Sequence, residues 1–243
     1  MKIKLTLAYD GTNFCGYQVQ DNCRTVQQVL EDALFQVLGV KVKTIASGRT
    51  DSGVHANGQV VCFDTNRTIP ANKYSYILNK ILPSDVKVVK SQKAKDDFHA
   101  RYMAKEKTYT YKIYLDEHEN PLKNRFSTHY PYKIDFAKID SAIEIIKGEH
   151  DFKCFLASNS SVKSTVRTIY SIKVRKSKNQ VEFSVTGNGF LYNMVRIIVG
   201  TLLQISEGKI SLENLVEALE TGNRTLVGKT MPPQGLCLEK VKY

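Results

Sequence analysis

The sequence predicts an α+β fold with mixed antiparallel sheets, built from two ferredoxin-like (RRM-like) β-α-β-β-α-β halves with a cleft between them. Segments that alternate between apolar and polar residues, as strands do, are separated by segments with apolar residues at helical spacing. The order β-α-β-β-α-β then occurs twice along the 243 residues. We therefore expect two domains, at 1–100 and 101–243, joined through a charged segment near 94–106.

The first half opens with an alternating strand over residues 2–9. Thr25 is a candidate N-cap for a helix whose apolar residues recur at helical spacing as far as Leu38. The other elements of this half are predicted near 40–47 (strand), 58–64 (strand), 71–80 (helix) and 86–92 (strand).

The second half opens with a strand pattern over 109–115. Apolar residues at helical spacing over 139–146 predict a helix that ends at Gly148. Lys178 and Asn179 form a predicted turn between two strands. The other elements are predicted near 166–175 and 180–187 (strands), 190–206 and 211–221 (helices) and 236–241 (strand).

The chain is strongly basic, with 35 Lys and Arg residues against 24 Asp and Glu residues and a net charge of +11. Such an excess favours a polyanionic partner, although charge alone does not separate RNA from DNA or from an acidic membrane. The longest apolar stretch, 190–205, contains Asn193 and Arg196, so we expect no membrane span.

The cysteines predict a reduced, cytoplasmic protein. There are five of them, an odd number, and none are spaced as CxxC, which argues against a disulfide framework or a zinc ribbon. The N-terminus enters a strand pattern at once, so no signal peptide is expected.

Residues 48–56, Gly-Arg-Thr-Asp-Ser-Gly-Val-His-Ala, are the most informative segment. A carboxylate, Asp51, follows Arg49 by two residues and precedes His55 by four, in a predicted loop between strands. Catalytic groups are common in such loops. An Asx-type turn, in which Asp51 bonds its own backbone near Gly53, explains the same spacing.

Cofactor and metal motifs are not convincing anywhere in the sequence. Residues 222–230 resemble a phosphate-binding loop but have five residues between the glycines where four are needed. Residues 187–189 lack the third glycine of a dinucleotide fingerprint, and no two histidines are spaced i, i+4. We therefore expect neither a nucleotide cofactor nor a metal.

The motif at 48–56 resembles the signature of the tRNA pseudouridine synthase A (TruA-like) family. The resemblance spans residues 5–240, with Ser52 where alanine is usual and Tyr17 where tryptophan is usual. Further segments resemble the family's blocks in the same order: Ala8–Gln18, Phe98–Arg101, Lys107–Tyr111, Gly187–Arg196 and Pro232–Leu236.

The resemblance implies an isomerase that converts uridine to pseudouridine in the anticodon stem-loop of tRNA, at tRNA positions 38, 39 and 40. It also implies a homodimer that needs no cofactor or metal. Asp51 is implied as the nucleophile, and Arg196 as the cation that pairs with it. The cleft between the halves would then be catalytic.

The residues by themselves leave other roles open. Tyr109 could stack on the target uracil or pack across the sheet. Arg196 could pair with Asp51 or extend its head group to solvent. Arg49 could occupy the space left by a flipped base, hold the phosphate of the extruded nucleotide or remain a solvated cation. His55 could contact the sugar-phosphate or make a hydrogen bond that stabilises its loop. Candidate phosphate contacts are Arg24, Arg101, Lys105 and Lys107.

Two other functions compete with the isomerase. One is a non-catalytic RNA-binding protein built on two RRM-like lobes, but the strand at 109–114 lacks the glycines of the RNP1 pattern. The other is an acid-base enzyme for a small anionic substrate, which the size of the basic set disfavours.

Overall fold

The computed structural model describes residues 1–157 and 162–243 and has the predicted α+β class with mixed sheets. The strands in these residues are β1 (Lys2–Tyr9), β2 (Ile45–Ala46), β3 (His55–Asp64), β4 (Val86–Ala94), β5 (Glu106–Tyr114), β6 (Thr128–His129), β7 (Gly148–Asp151), β8 (Val166–Ser177), β9 (Gln180–Gly187) and β10 (Leu236–Lys242). The α-helices are α1 (Val26–Leu38), α2 (Tyr74–Asn79), α3 (Phe136–Ile146), α4 (Met194–Ser206) and α5 (Leu212–Thr221).

These elements form two compact units. The first contains residues 1–105 together with 237–243, and the second contains residues 106–236. Most of β10, which the sequence pattern placed with the second half, thus belongs to the first unit. Within the described ranges, every helix is too short or too polar to cross a lipid bilayer.

The sheet of the first unit is organised around β1, which runs antiparallel to both β3 and β4. The predicted alternation is confirmed, because Ile3, Leu5 and Leu7 are all fully buried while the residues between them are partly exposed. On the other side of β3, β2 pairs antiparallel and β10 pairs parallel. Thr25 caps α1 as predicted, its hydroxyl accepting the N–H of Gln28 at 3.4 Å.

The second unit is built on the strand order β5-β9-β8-β7, with each neighbouring pair antiparallel, and β6 pairs parallel to β5. The predicted turn is confirmed at Lys178, which has a φ of 41° between β8 and β9. Eleven of the 13 residues of α4 are buried, so this helix is enclosed on nearly all sides.

The structure differs from the sequence prediction mainly in short or irregular segments. The strand predicted near 40–47 is only two residues long, and β6 and β7 were not predicted. The helix predicted from residue 190 begins at Met194, because Asn193 has a left-handed φ of 61° and ends the preceding irregular segment. Strands of two to four residues carry too little alternation to be detected from sequence.

Candidate active site

The Asp51 loop, defined here as residues 47–54, connects β2 to β3 as predicted. Its first residues are fixed by Gln59, which is fully buried on β3. The Ser47 hydroxyl donates to Oε1 of Gln59 at 2.7 Å, and Nε2 of Gln59 donates to the Gly48 carbonyl at 2.8 Å. A single amide side chain therefore uses both its donor and its acceptor to hold the entry to the loop.

The middle of the loop is held through Thr50, which is 5% exposed. Its carbonyl accepts the N–H of Tyr17 at 3.0 Å, and its hydroxyl is 2.7 Å from the hydroxyl of Tyr9. Gly16 makes this approach possible: it has a φ of +89°, and a Cβ there would lie 2.7 Å from the Thr50 carbonyl oxygen. Residues 9–17 therefore pack closely against the loop.

The same segment also supports the residues after Asp51. The Phe14 carbonyl accepts the N–H of Gly53 at 3.3 Å and the hydroxyl of Ser52 at 3.2 Å. The turn is closed by the N–H of Val54, which donates to the Asp51 carbonyl at 3.1 Å. The turn after Asp51 is therefore closed by at least one main-chain hydrogen bond.

Asp51 is half-buried, while Arg49 and Ser52 on either side of it are exposed. Its charge reaches the buried phenol of Tyr9, whose pKa is raised chiefly by burial and, to a smaller extent, by the Asp51 carboxylate. Tyr9 is therefore neutral at physiological pH. The Asp51 carboxylate is therefore near enough to the Tyr9 phenol to interact with it electrostatically.

His55 is buried, with 5% of its surface exposed, and lies at the start of β3. Its Nδ1 atom is 3.0 Å from the N–H of Gly11 and 3.2 Å from Oδ1 of Asp10. A neutral Nδ1 can accept from Gly11, and a protonated one can donate to Asp10, but not both at once. The sequence allowed His55 either to contact RNA or to make a stabilising hydrogen bond inside the protein. Its buried position beside Gly11 and Asp10 supports the hydrogen bond.

Several residues that build the site were not selected from the sequence. They are Tyr9, Asp10, Thr50 and Gln59. A usable signal was present for Tyr9 and Gln59, because each puts a polar group on a strand otherwise rich in buried apolar residues.

Tyr109 lies on β5 of the second unit, opposite Val185 of β9. It is 8% exposed, and its ring meets that of Phe190 edge to face with centroids 5.2 Å apart. The Tyr109 ring is therefore largely enclosed by the protein and packs against an aromatic side chain that follows β9.

Arg196 lies in the first turn of α4 and is partly buried. Its Nε donates to the Met231 carbonyl at 2.6 Å and its Nη1 donates to Oδ1 of Asn193 at 2.6 Å. Its charge also counteracts the burial that raises the pKa of Tyr111. The guanidinium is therefore anchored to the protein, in contrast to the freely solvated head group of the alternative interpretation.

The candidate phosphate contacts differ in their surroundings. Arg101, Lys105 and Arg49 are exposed, and Lys107 is partly exposed. Arg24 makes a two-point ion pair with Asp85, at 2.7 and 3.0 Å, and its guanidinium lies 4.0 Å from the centroid of the Phe14 ring. The hydrogen bond to Asp85 raises the pKa of Arg24, so this side chain has a structural partner already.

Arg49 and Asp51 thus share one loop of the first unit and His55 begins the strand that follows it, whereas Tyr109 and Arg196 belong to the second unit. Among residues 1–157 and 162–243, no group of three or more His, Cys, Asp or Glu side chains is arranged to hold a metal ion.

Comparison with known proteins gives a consistent result. Residues 6–103 and 142–243 match the family model described as tRNA pseudouridine synthase. A tRNA pseudouridine synthase A from Bacillus pumilus is 44% identical over 245 residues, covering 100% of this chain and 99% of the relative. The protein of that name from a Geobacillus species is 45% identical, covering 100% and 98%. Another from Acetivibrio thermocellus is 44% identical, covering 99% of both chains.

Proposed function

Because this chain belongs to the tRNA pseudouridine synthase family, we propose that it isomerises uridine to pseudouridine in the anticodon stem-loop of tRNA, at positions 38, 39 and 40. We propose Asp51 as the nucleophile. The observation that supports this most is the Asp51 loop: Asp51 is half-buried, and the loop residues on either side of it are held by hydrogen bonds with Gln59, Tyr9 and Phe14. A non-catalytic RNA-binding role is the weaker candidate, since the family is one of isomerases.

The chemistry requires no external reactant. The bond from ribose C1′ to uracil N1 breaks, the base turns, and a bond from C1′ to C5 forms. The proton on C5 is lost and N1 gains one, so atoms and charge balance without a redox partner. A nucleophilic carboxylate can begin this sequence, either at the sugar or at the base.

Asp51 must remain ionised while water is excluded from the reacting base. Burial alone disfavours the charged carboxylate, and a nearby cation restores it. We assign that cation to Arg196. The anchoring of its Nε and Nη1 atoms by Met231 and Asn193 supports this role, because a preorganised charge needs no reorganisation during the reaction.

Tyr109 is proposed to stack on the extruded uracil and to assist removal of the C5 proton. Its low exposure of 8% fits a site from which water is largely excluded. The target base is stacked in the RNA before reaction and must be flipped out, which costs a few kcal/mol. The exposed Arg49, two residues before Asp51, is placed to occupy the vacated space or to hold the phosphate.

The test is release of tritium from tRNA labelled with [5-³H]uridine. We expect the wild-type chain to release tritium, and Asp51→Asn and Asp51→Ala to abolish release while tRNA binding changes by less than about tenfold. Asp64→Asn is the matched control, because Asp64 is an exposed carboxylate at the end of β3 and should keep full activity.

Retained turnover in both Asp51 variants would remove this residue from the mechanism without affecting the family assignment. Mapping the modified base on the tRNA tests the proposed positions separately. Modification outside the anticodon stem-loop would contradict the substrate assignment alone.

We also propose that the chain acts as a homodimer, as the family resemblance implies, and in the cytoplasm, as its odd number of cysteines without CxxC spacing favours. One chain has a mass of 27.5 kDa. Light scattering after gel filtration should give twice this mass, and a single-chain mass at micromolar concentration would contradict the dimer.

A further inference from the structure

The segment between β4 and β5 presents an ordered aromatic surface to solvent. We name residues 95–105 the Tyr102 loop; all of it lies in the first unit. Its centre is anchored: Ala100 is fully buried against Val60 and Cys62, and its carbonyl accepts the Tyr243 hydroxyl at 2.8 Å. The flanking Phe98 ring packs on Tyr243 with centroids 4.9 Å apart. The loop is therefore held by the core of the unit.

Tyr102 projects from this anchored loop and is 76% exposed. Its ring stacks on the imidazole of His99, with centroids 4.3 Å apart and the planes inclined by 27°. His99 is itself fixed, because its Nδ1 accepts the N–H groups of both Arg101 and Tyr102 at 3.2 Å. The two rings form a supported planar surface, and most of the Tyr102 ring remains open to solvent.

The charges around this pair suit an anionic ligand. The Arg101 guanidinium lies 5.8 Å from the centroid of the Tyr102 ring. The exposed side chains nearby in the sequence comprise four cations and two anions: Lys93, Lys95, Arg101, Lys105, Asp96 and Asp97. A flat aromatic face beside a cation is the arrangement that binds a nucleobase and its phosphate together.

We propose that His99 and Tyr102 form a stacking platform for an unpaired nucleobase of the substrate RNA, with Arg101 on the adjoining phosphate. This inference rests on the proposed function, since it needs an RNA substrate. RNA is favoured over a protein partner because the platform combines a preordered planar stack with a local excess of cations.

The first experiment uses the absence of tryptophan from the chain. Tyr102→Trp introduces a single reporter, whose fluorescence should be quenched when a tRNA transcript is added, because the indole stacks on a base. Tyr76→Trp is the matched control. Tyr76 is another exposed tyrosine of the first unit, with 69% of its surface exposed, and the centroid of its ring lies 5.5 Å from the Lys73 ammonium. Equal responses from the two variants, or no response from the first, would overturn the platform.

The second experiment measures affinity at fixed salt. Tyr102→Ala should weaken tRNA binding about 5- to 100-fold, whereas Tyr102→Phe and Tyr76→Ala should stay within about twofold. Arg101→Ala should reduce the slope of log affinity against log salt by about one, and Tyr102→Ala should leave the slope unchanged. Wild-type affinity in Tyr102→Ala, with the melting temperature unchanged, would refute the proposal.

The two proposals fail in different ways. If the wild-type chain binds tRNA but releases no tritium, while the Tyr102 and Arg101 variants give the expected fluorescence and affinity changes, the catalytic proposal fails and the platform stands. If tritium is released normally by Tyr102→Ala and its affinity is unaltered, only the platform fails. Quenching of the Tyr102→Trp reporter by an added protein and not by RNA would also overturn it.

Discussion

The two regions that carry the proposed chemistry are held in place in different ways. The Asp51 loop has no regular structure, and its position depends on a few polar contacts with Gln59, Tyr9 and the backbone around Gly16. Arg196 belongs to a helix that is buried on nearly all sides, so its backbone is fixed by apolar packing. Substitutions nearby should therefore shift the Asp51 carboxylate more easily than they shift the backbone of Arg196.

Of the substitutions that test this difference between the two regions, Arg196→Met should have the largest effect on turnover. Removing the charge while keeping the length should lower kcat about 100- to 1000-fold, the range seen when a preorganised electrostatic group is lost. The free energy of unfolding should fall by about 1–3 kcal/mol, because the Met231 carbonyl and the Asn193 side chain lose their donor. Single-turnover kinetics and tRNA affinity measured together test this. Persistent turnover with weakened tRNA binding would make Arg196 an RNA contact.

Gly16→Ala should have an intermediate effect. The new Cβ would approach the Thr50 carbonyl closely at a positive φ, which should lower the free energy of unfolding by about 1–3 kcal/mol and shift the Asp51 loop. Turnover by the folded protein should fall as well. Gly39→Ala is the control, since Gly39 also has a positive φ, of +71°, but ends α1 away from the loop.

Denaturant unfolding and turnover, measured on both glycine variants, separate the two contributions. Gly39→Ala should cost about 1 kcal/mol and leave turnover unchanged. If Gly16→Ala also keeps full turnover, the close packing of residues 9–17 does not position Asp51.

Tyr9→Phe should have the smallest effect. It removes one buried hydroxyl and leaves the Thr50 hydroxyl without that partner, so the free energy of unfolding should fall by about 1–2 kcal/mol. Turnover should fall by less than about tenfold if the remaining bonds from Gln59 and Tyr17 hold the loop. A complete loss of turnover would assign Tyr9 a direct role in the reaction.

The regular elements were largely predictable from sequence, and the supports of the site were not. β1 and α1 bury one face each, so their periodicity is visible in the residues themselves. The contact of Gln59 with Ser47 joins residues 12 positions apart, and that of Arg196 with Met231 joins residues 35 positions apart. No local pattern specifies such partners, because they depend on how distant segments pack.

The α+β class, the order of the main elements and the position of Asp51 in a loop between two strands could all be read from the residues in order. These follow from local periodicity and from a motif of adjacent residues. The folded chain was needed to show that His55 is buried beside Asp10, that Arg24 is paired with Asp85, and that Arg196 is anchored. Each of these depends on which polar groups are desolvated together, and desolvation is a property of the packed chain.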